Sequence, residues 1–289
     1  MNNKSLDPSI PKTVLITGCS SGIGYCVAKG LQQKGYQVFA TARKDTDVAR
    51  LRQEGLTALL LDLDDPESIT ACVATVKAQT GERIDVLFNN GAYGQPGAVE
   101  DLSRDTLRAQ LETNLLGTLE LTNQVIPLMR QHGYGRIIQN SSVLGLISLP
   151  YRGAYNISKY ALEGLTDTLR LELHGTGIAV SLIEPGPIES KFRENAYRAF
   201  QENIDRDHSA HREIYDRLER RLKKTGHAAP FTQPPEAVLK KVIHAIENDR
   251  PRVRYYVTFP TYLFGTLKRI LSARMLDRLL KRVSDRENQ

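Results

Sequence analysis

The chain has 289 residues, of which 40% are hydrophobic, 25% charged and 7% aromatic. These fractions belong to a globular protein and exclude a disordered, collagen-like or coiled-coil chain. The net charge is +6, yet residues 250–289 hold ten Lys or Arg against three acids, so residues 1–249 carry 29 basic and 30 acidic groups. A nucleic-acid-binding domain holds its positive excess on the folded body, and no nucleic-acid partner is expected.

Residues 1–12 are polar, without the apolar run of a secretory signal. Cys19, Cys26 and Cys72 are odd in number and lack C-x-x-C spacing, which points to a reducing, cytoplasmic setting without disulfides or structural zinc. From Thr13 onward, short apolar runs alternate with longer amphipathic ones. Residues 13–17, 37–42, 58–61, 84–88, 136–139 and 178–183 read as strands buried on both faces of a parallel sheet. Residues 23–34, 67–78 and 106–130 between them have helical length, the last with a break expected at Pro127. The expected fold class is α/β, a doubly wound, Rossmann-type parallel sheet with helices on both faces.

After Pro185-Gly186-Pro187 this rhythm stops. Residues 191–224 are highly charged and read as helical, especially 204–224. They are either a substrate lid, spanning about 191–230, or a charged pair of surface helices. A helix over 236–248 and a seventh strand over 252–258 follow, then an apolar-basic helix over 262–283. The chain is read as one domain, with residues 1–249 as dinucleotide-binding and catalytic body. Residues 250–289 form the last strand and a basic amphipathic tail.

Ligands of open α/β sheets bind beyond the carboxyl ends of the strands. There the sequence places Gly18-Cys19-Ser20-Ser21-Gly22-Ile23-Gly24, then Arg43, Asp62, Asn89-Asn90-Gly91-Ala92, Ser141-Ser142 and Pro185-Gly186. Glycines between a strand and a helix let backbone approach a pyrophosphate at the helix N-terminus. At the end of the second strand, NAD-binding folds place an acid for the ribose 2′-hydroxyl. This chain has Arg43-Lys44 there. A guanidinium suits a 2′-phosphate, so NADP(H) is the expected cofactor; a solvated Arg–Lys pair is the alternative.

Tyr-x-x-x-Lys occurs twice, as Tyr25–Lys29 and Tyr155–Lys159. Only the second follows a serine at a strand's carboxyl end, Ser142. Its residues stand one turn apart on an expected helix, 155–173, whose stripe Ile157, Ala161, Leu165, Leu169 and Leu173 should pack on the sheet. A lysine ammonium beside a phenol lowers the phenol pKa and makes Tyr155 a plausible acid–base. Tyr25 is read as a packing residue of the first helix.

The ordered set Thr17-Gly18-x-x-x-Gly22-Ile23-Gly24, Asn89-Asn90, Asn114, Ser142, Tyr155-x-x-x-Lys159 and Pro185-Gly186 resembles the short-chain dehydrogenase/reductase family over residues 12–190. The resemblance implies a tetrad of Asn114, Ser142, Tyr155 and Lys159. Tyr155 would exchange a proton with the substrate oxygen, Ser142 polarise it, Lys159 hold the nicotinamide ribose, and Asn114 anchor a water serving Lys159. It also implies that Asp62 contacts the adenine, Asn89 and Gly91 the adenosine side, and Pro185, Gly186, Ile188 and Ser190 the nicotinamide. Two departures stand out: the family's Asn-Asn-Ala-Gly reads Asn89-Asn90-Gly91-Ala92, and Ser190 replaces a common threonine. Arg43-Lys44, the run 184–188 and the tail resemble the retinol-, steroid- and aldehyde-reducing branch, particularly bacterial NADP-dependent aldehyde reductases.

Tyr93, Val143, Leu144 and Leu149, with Leu146 and Ile147, would line the carbonyl site and favour an apolar aldehyde or ketone. A steroid ketone or fatty acyl thioester stays open as substrate. A catalytically silent NADP-binding sensor or scaffold is the rival class, although none of the tetrad is missing. His208 and His211 read as a solvated helix face with no metal, and Cys19 as small-residue packing. The tail's apolar stripe either lies in an anionic membrane surface or packs on its own domain. The family's usual dimer surface, helices 106–130 and 155–173, implies a homodimer.

Overall fold

The computed structural model describes residues 11–224, 226 and 229–287; the polar stretch read as lacking a signal lies almost wholly outside them. Strands β1 (Thr13–Ile16), β2 (Gln37–Ala42), β3 (Thr57–Leu60), β4 (Val86–Asn89), β5 (Gly135–Asn140), β6 (Ile178–Glu184) and β7 (Arg254–Tyr256) form one all-parallel sheet. Their order is 3-2-1-4-5-6-7. The order reverses between β1 and β4, and a crevice opens there beyond the strand ends. β1 is buried throughout: Val14 and Ile16 point into one apolar layer and Leu15 into the other.

Helices α1 (Gly22–Gln33) and α2 (Asp45–Gln53) cover the first face. On the second lie α3 (Pro66–Thr80), then α4 (Arg104–Leu111), α5 (Gly117–His132) and α6 (Gly153–Glu172). Asp65 caps α3 by accepting from the Glu67 backbone N–H at 2.9 Å, with Pro66 opening the helix. Helices α7 (Phe192–Asn203) and α8 (Arg212–Lys223) form the segment read as a lid or a surface pair, α9 (Glu236–Glu247) returns to the first face, and α10 (Phe259–Ile270) and α11 (Ala273–Glu287) form the tail.

Several expectations need correction. The helix expected over 106–130 does not break at Pro127, which lies inside α5. Pro127 and Asn123, whose carbonyl it deprives of a partner, are both exposed, so the bond is lost on the solvent side while Val125, Leu128 and Met129 hold the helix on the sheet. The irregularity comes earlier, as a π-helical turn at Glu112–Leu116 that carries Asn114. Residues 204–211 are not helical: Ile204 is extended and ends α7. Helices α7 and α8 turn one face inward, where Phe200, Tyr215, Leu218 and Leu222 share a buried cluster with Ala98. In α6 the buried face is Ala154, Asn156, Ser158, Lys159, Leu162, Glu163, Thr166 and Leu169, so Ile157 faces out and only Leu169 and Leu173 of the expected stripe are buried. The polar members of that face belong to the site chemistry.

The tail is two helices, separated at Leu271, whose backbone is extended. Phe264, Leu267, Leu276, Leu279, Leu280 and Val283 pack on Leu144, Ile147 and Leu149. Phe259, Leu263, Ile270 and Met275 stay exposed. Of the stripe read as meeting either a membrane or its own domain, Leu267, Leu279 and Val283 pack on the protein, while Leu263, Ile270 and Met275 do not. Among the described residues, no helix is long and apolar enough to cross a membrane.

Candidate active site

Between β1 and α1 the backbone turns through two positive-φ glycines, Gly18 (70°) and Gly22 (57°). A Cβ on Gly24 would lie 2.3 Å from the Gly18 carbonyl oxygen, and one on Gly22 would lie 2.8 Å from Ser190 Cβ. The turn is thus closed from below by its own helix and from above by the loop between β6 and α7. The turn is pinned by residues from β4: Thr17 Oγ1 accepts from the backbone N–H groups of Asn90 and Gly91, both at 2.8 Å. Asn90 Nδ2 donates to the Thr17 carbonyl at 3.0 Å, and Asn90 Oδ1 accepts from Asn140 Nδ2 at 2.9 Å. Asn90 is therefore the hub tying β1, β4 and β5 together; the motif contained it, but its role as the link was missed. The Gly91-Ala92 order has a cause as well. A Cβ on Gly91 would meet Leu63 at 3.0 Å and Thr17 Oγ1 at 3.2 Å.

One cleft of about 1270 Å³ holds Gly18, Ser20, Ser21, Gly22, Ile23 and Gly91. The same cleft takes Ser142, Tyr155 and Lys159, and also Pro185, Gly186, Ile188 and Ser190. Val143, Leu144, Ile147 and Leu149 line it, while Leu146 does not. Its volume exceeds a drug-sized pocket, typically ~300–1,000 Å³, and leaves room for a dinucleotide beside a second molecule. Phe192, Leu218 and Leu222 from the lid, with Phe264 and Val283 from the tail, close its other side. The tail's part in the site was not legible from the family motifs.

Five expected site residues lie off the cleft wall. Asn89 is buried and donates to Thr122 Oγ1 at 2.9 Å, so it braces α5. Asp62 accepts from the Asp64 backbone N–H at 3.1 Å at the end of β3. Arg43 is exposed at the end of β2 and, among the described residues, makes no hydrogen bond or ion pair. Tyr93 was expected against the substrate, but its electrostatic neighbours are Asp64 and Arg43, on the β2–β3 side. Both polar groups of its backbone are held by Asn114, which donates to the Tyr93 carbonyl at 2.9 Å and accepts from its N–H at 3.1 Å. Asn114 also donates to Ser158 Oγ at 3.0 Å. Buried and fully engaged, it positions the loop and α6 from behind.

The chemical core sits at the start of α6. Burial raises the Tyr155 pKa, and a hydrogen bond with the Ser142 hydroxyl works against that rise. Lys159 is buried; its Nζ donates to the Asn140 carbonyl at 2.7 Å and lies 5.6 Å from the Tyr155 ring centroid. Desolvation pulls the Lys159 pKa down to about 8, with Glu163 one turn on acting to raise it. Lys159 directs one N–H at Asn140, and its charge lies behind the Tyr155 ring, while Ser142 is the group that opposes the rise caused by burial. Behind Lys159, Arg254 of β7 binds Glu163, Glu184 at 2.5 Å and Asp167 at 2.7 Å. Gly186 fits because a Cβ there would lie 2.2 Å from Thr258 Oγ1.

The other candidates lie apart from this core. Tyr25 stacks with Arg50, 5.9 Å from its ring centroid, and its hydroxyl bonds Glu54. His208 meets Asp205 while His211 meets Glu100 and Tyr151. Cys19 is fully buried, which drives its thiol up to about 12.

A parallel sheet with this order, a glycine turn after β1 and a Ser–Tyr–Lys group in the crevice define a dinucleotide-dependent oxidoreductase fold. Residues 12–200 match the short chain dehydrogenase family model, and the chain belongs to that family. It is 43% identical over 270 residues, 93% of this chain and 94% of the relative, to the uncharacterized oxidoreductase YbbO of Escherichia coli K12. It is 35% identical to human 17-beta-hydroxysteroid dehydrogenase type 1, over 85% of this chain and 77% of the relative. In fold it is similar to a short-chain dehydrogenase/reductase from Burkholderia phymatum solved with NAD. The TM-score is 0.76 at 23% identity, covering 96% of this chain and 97% of that one.

Proposed function

We propose that the protein transfers hydride between NADPH and the carbonyl of an apolar aldehyde or ketone, with Tyr155 as the acid–base at the substrate oxygen. The observation that carries this reading is the meeting of Ser142, Tyr155 and Lys159 with the glycine turn in one cleft. When bound, the nicotinamide supplies or takes the hydride. In reduction, Tyr155 gives its proton to the carbonyl oxygen, and Ser142, whose hydroxyl acts on that of Tyr155, also polarises that oxygen. Lys159 holds a positive charge behind the phenol and lowers the cost of the phenolate that proton loss leaves. Asn114 acts as a positioning residue through Tyr93 and Ser158.

The residues present fit a dinucleotide. α1 begins at Ser21 without a side-chain cap and has no acid in its first turn, so its N–H groups are open to a phosphate. Arg43, whose side chain makes no hydrogen bond among the described residues, would take the 2′-phosphate and makes NADP(H) the preferred form. Asp62 would meet the adenine edge. The apolar wall from Val143 to Leu149, closed by Phe192 and Phe264, suits an apolar chain or ring system. Leu116 at the end of the π-helical turn, with Ile157 and Tyr160 of α6, is exposed and would supply a homodimer contact.

A silent sensor would need none of the polar groups that converge on this cleft. Purified full chain incubated with NADPH and a panel of apolar aldehydes separates the two. The enzyme reading expects loss of NADPH absorbance matched by alcohol. Binding of NADPH without turnover of any aldehyde or ketone would favour the sensor.

A further inference from the structure

Away from the Tyr155 end, the cleft runs between α8 of the lid and α11 of the tail, and its wall changes character. Arg152, Arg193, Arg221, Lys224 and Arg286 line it there against one carboxylate, Glu287. Glu189, the other acid on the cleft wall, sits at the opposite end beside Gly22. Asp285 and Glu100 face Tyr151 and do not line the cleft.

Arg152 Nη2 donates to Glu287 Oε2 at 2.5 Å, and Arg221 Nη2 lies 3.3 Å from the same oxygen. Arg221 Nε is buried with no acceptor. Among the described residues, Arg193 donates to the Gly226 carbonyl alone, at 2.8 Å. Desolvation first, then the neighbouring Arg152 and Arg193, pull the Arg221 pKa down to about 10, with Glu287 opposing. Buried cations with more donors than acceptors are costly unless an anion joins them. Glu287 meets only part of that demand.

We propose that this end of the cleft holds a carboxylate of the substrate, so that the carbonyl compound is an apolar chain with an acid at the end remote from its C=O. The inference rests on the carbonyl-reductase reading and names its substrate class. Glu287 shows the chemistry on the protein's own chain: a carboxylate already sits between two guanidiniums. A second carboxylate would take the unused donors of Arg221 and Arg193, which present the fork geometry that carboxylates fit. Between this end and Tyr155 the wall is apolar, formed by Leu149, Leu218, Leu222 and Val283.

The test uses the full chain, NADPH, and two probes with the same aldehyde and the same chain: a medium-chain ω-oxo fatty acid and its methyl ester. The wild type should show kcat/KM for the acid at least roughly tenfold above that for the ester, as charge-assisted bonds allow. Added salt should shrink the gap. Arg221→Gln should bring the ratio close to one, while Glu287→Gln, which releases both guanidiniums, should raise it; thermal melting checks that each variant folds. A wild-type ratio at or below one overturns the proposal, as does a ratio that neither substitution moves. If Arg221→Gln fails to fold, the Glu287→Gln ratio decides alone: a rise supports the proposal and no change overturns it. Turnover of the ester without preference for the acid sinks this inference only, whereas turnover of neither probe sinks the carbonyl-reductase reading beneath it.

Discussion

On its sheet side the cleft is made of backbone and short polar chains: Gly18, Gly22, Asn90, Ser142, Tyr155 and Lys159, each fixed by a hydrogen bond or by a contact that leaves no space for a Cβ. On its lid-and-tail side it is made of Phe192, Leu218, Leu222, Phe264 and Val283, held by apolar packing. The first wall tolerates few residue types at each position, because charge transfer and close backbone approach demand particular groups. The second needs only suitable volume and apolarity, and many sequences supply that. Substitutions should therefore separate chemistry from capture: changes on the sheet side alter rate or cofactor choice, and changes on the cap side alter stability and substrate affinity.

The largest effect is expected from Tyr155→Phe. The ring keeps its edge contact with Phe192, at 5.2 Å between centroids, but the proton is gone, so kcat should fall by ~10²–10⁴. NADPH affinity, measured by titration of cofactor fluorescence, should stay near that of the wild type. A rate close to wild type would remove Tyr155 from the chemistry and blur the distinction between the walls.

Phe264→Ala attacks the other wall. Phe264 is buried against Leu144, Ile147 and Leu149, and removing a buried phenyl ring costs about 3–5 kcal/mol of stability. Thermal melting should show that loss, and KM for apolar aldehydes should rise with NADPH affinity unchanged. A fall in kcat with KM constant would mean that the tail serves chemistry rather than capture.

Arg43→Asp should move cofactor preference toward NADH. Hydrogen bonds to charged groups contribute about 1.5–3 kcal/mol, so the ratio of kcat/KM for NADPH over NADH should drop by roughly tenfold to a hundredfold. An unchanged ratio would place the 2′-phosphate, if one is bound, on another group.

The smallest expected effect is a pH limb. Lys159, pulled by desolvation from 10.5 to about 8, is an ammonium below that pH and loses its charge above it. Reduction, measured as kcat/KM against pH, should fall as pH rises through about 8. Between 8 and 10.5 the unfolded chain holds this proton and the folded chain does not, so Lys159's contribution to stability rises over the same range. Activity and this stability contribution thus move in opposite directions. A parallel fall of rate and melting temperature would assign the limb to unfolding.

The comparison also explains what the sequence disclosed. Runs such as Val14-Leu15-Ile16 mark strands because both faces of a parallel sheet need apolar side chains, and the polar strand ends mark the crevice. The π-helical turn at Asn114 was not legible, since nothing local in residues 112–116 sets it apart from an ordinary turn. Pro127 drew attention away from it, because a proline on a solvent-facing turn is tolerated. The backbone at Tyr93 is held by Asn114, which lies 21 residues further along the chain, a partner that no local pattern names. The tail's two helices and their place over the cleft depend on contacts with Leu144 and Ile147, more than a hundred residues away in sequence. An amphipathic stripe records that it will be covered, but not by what.

Hydride transfer itself can be followed with NADPH deuterated at the transferable C4 position and an apolar aldehyde, by mass analysis of the alcohol formed by the wild-type chain. The account predicts one deuterium on the carbinol carbon for each NADPH consumed, and none without the protein. Alcohol lacking that deuterium, or NADPH bound but never consumed with any apolar carbonyl compound, would contradict it.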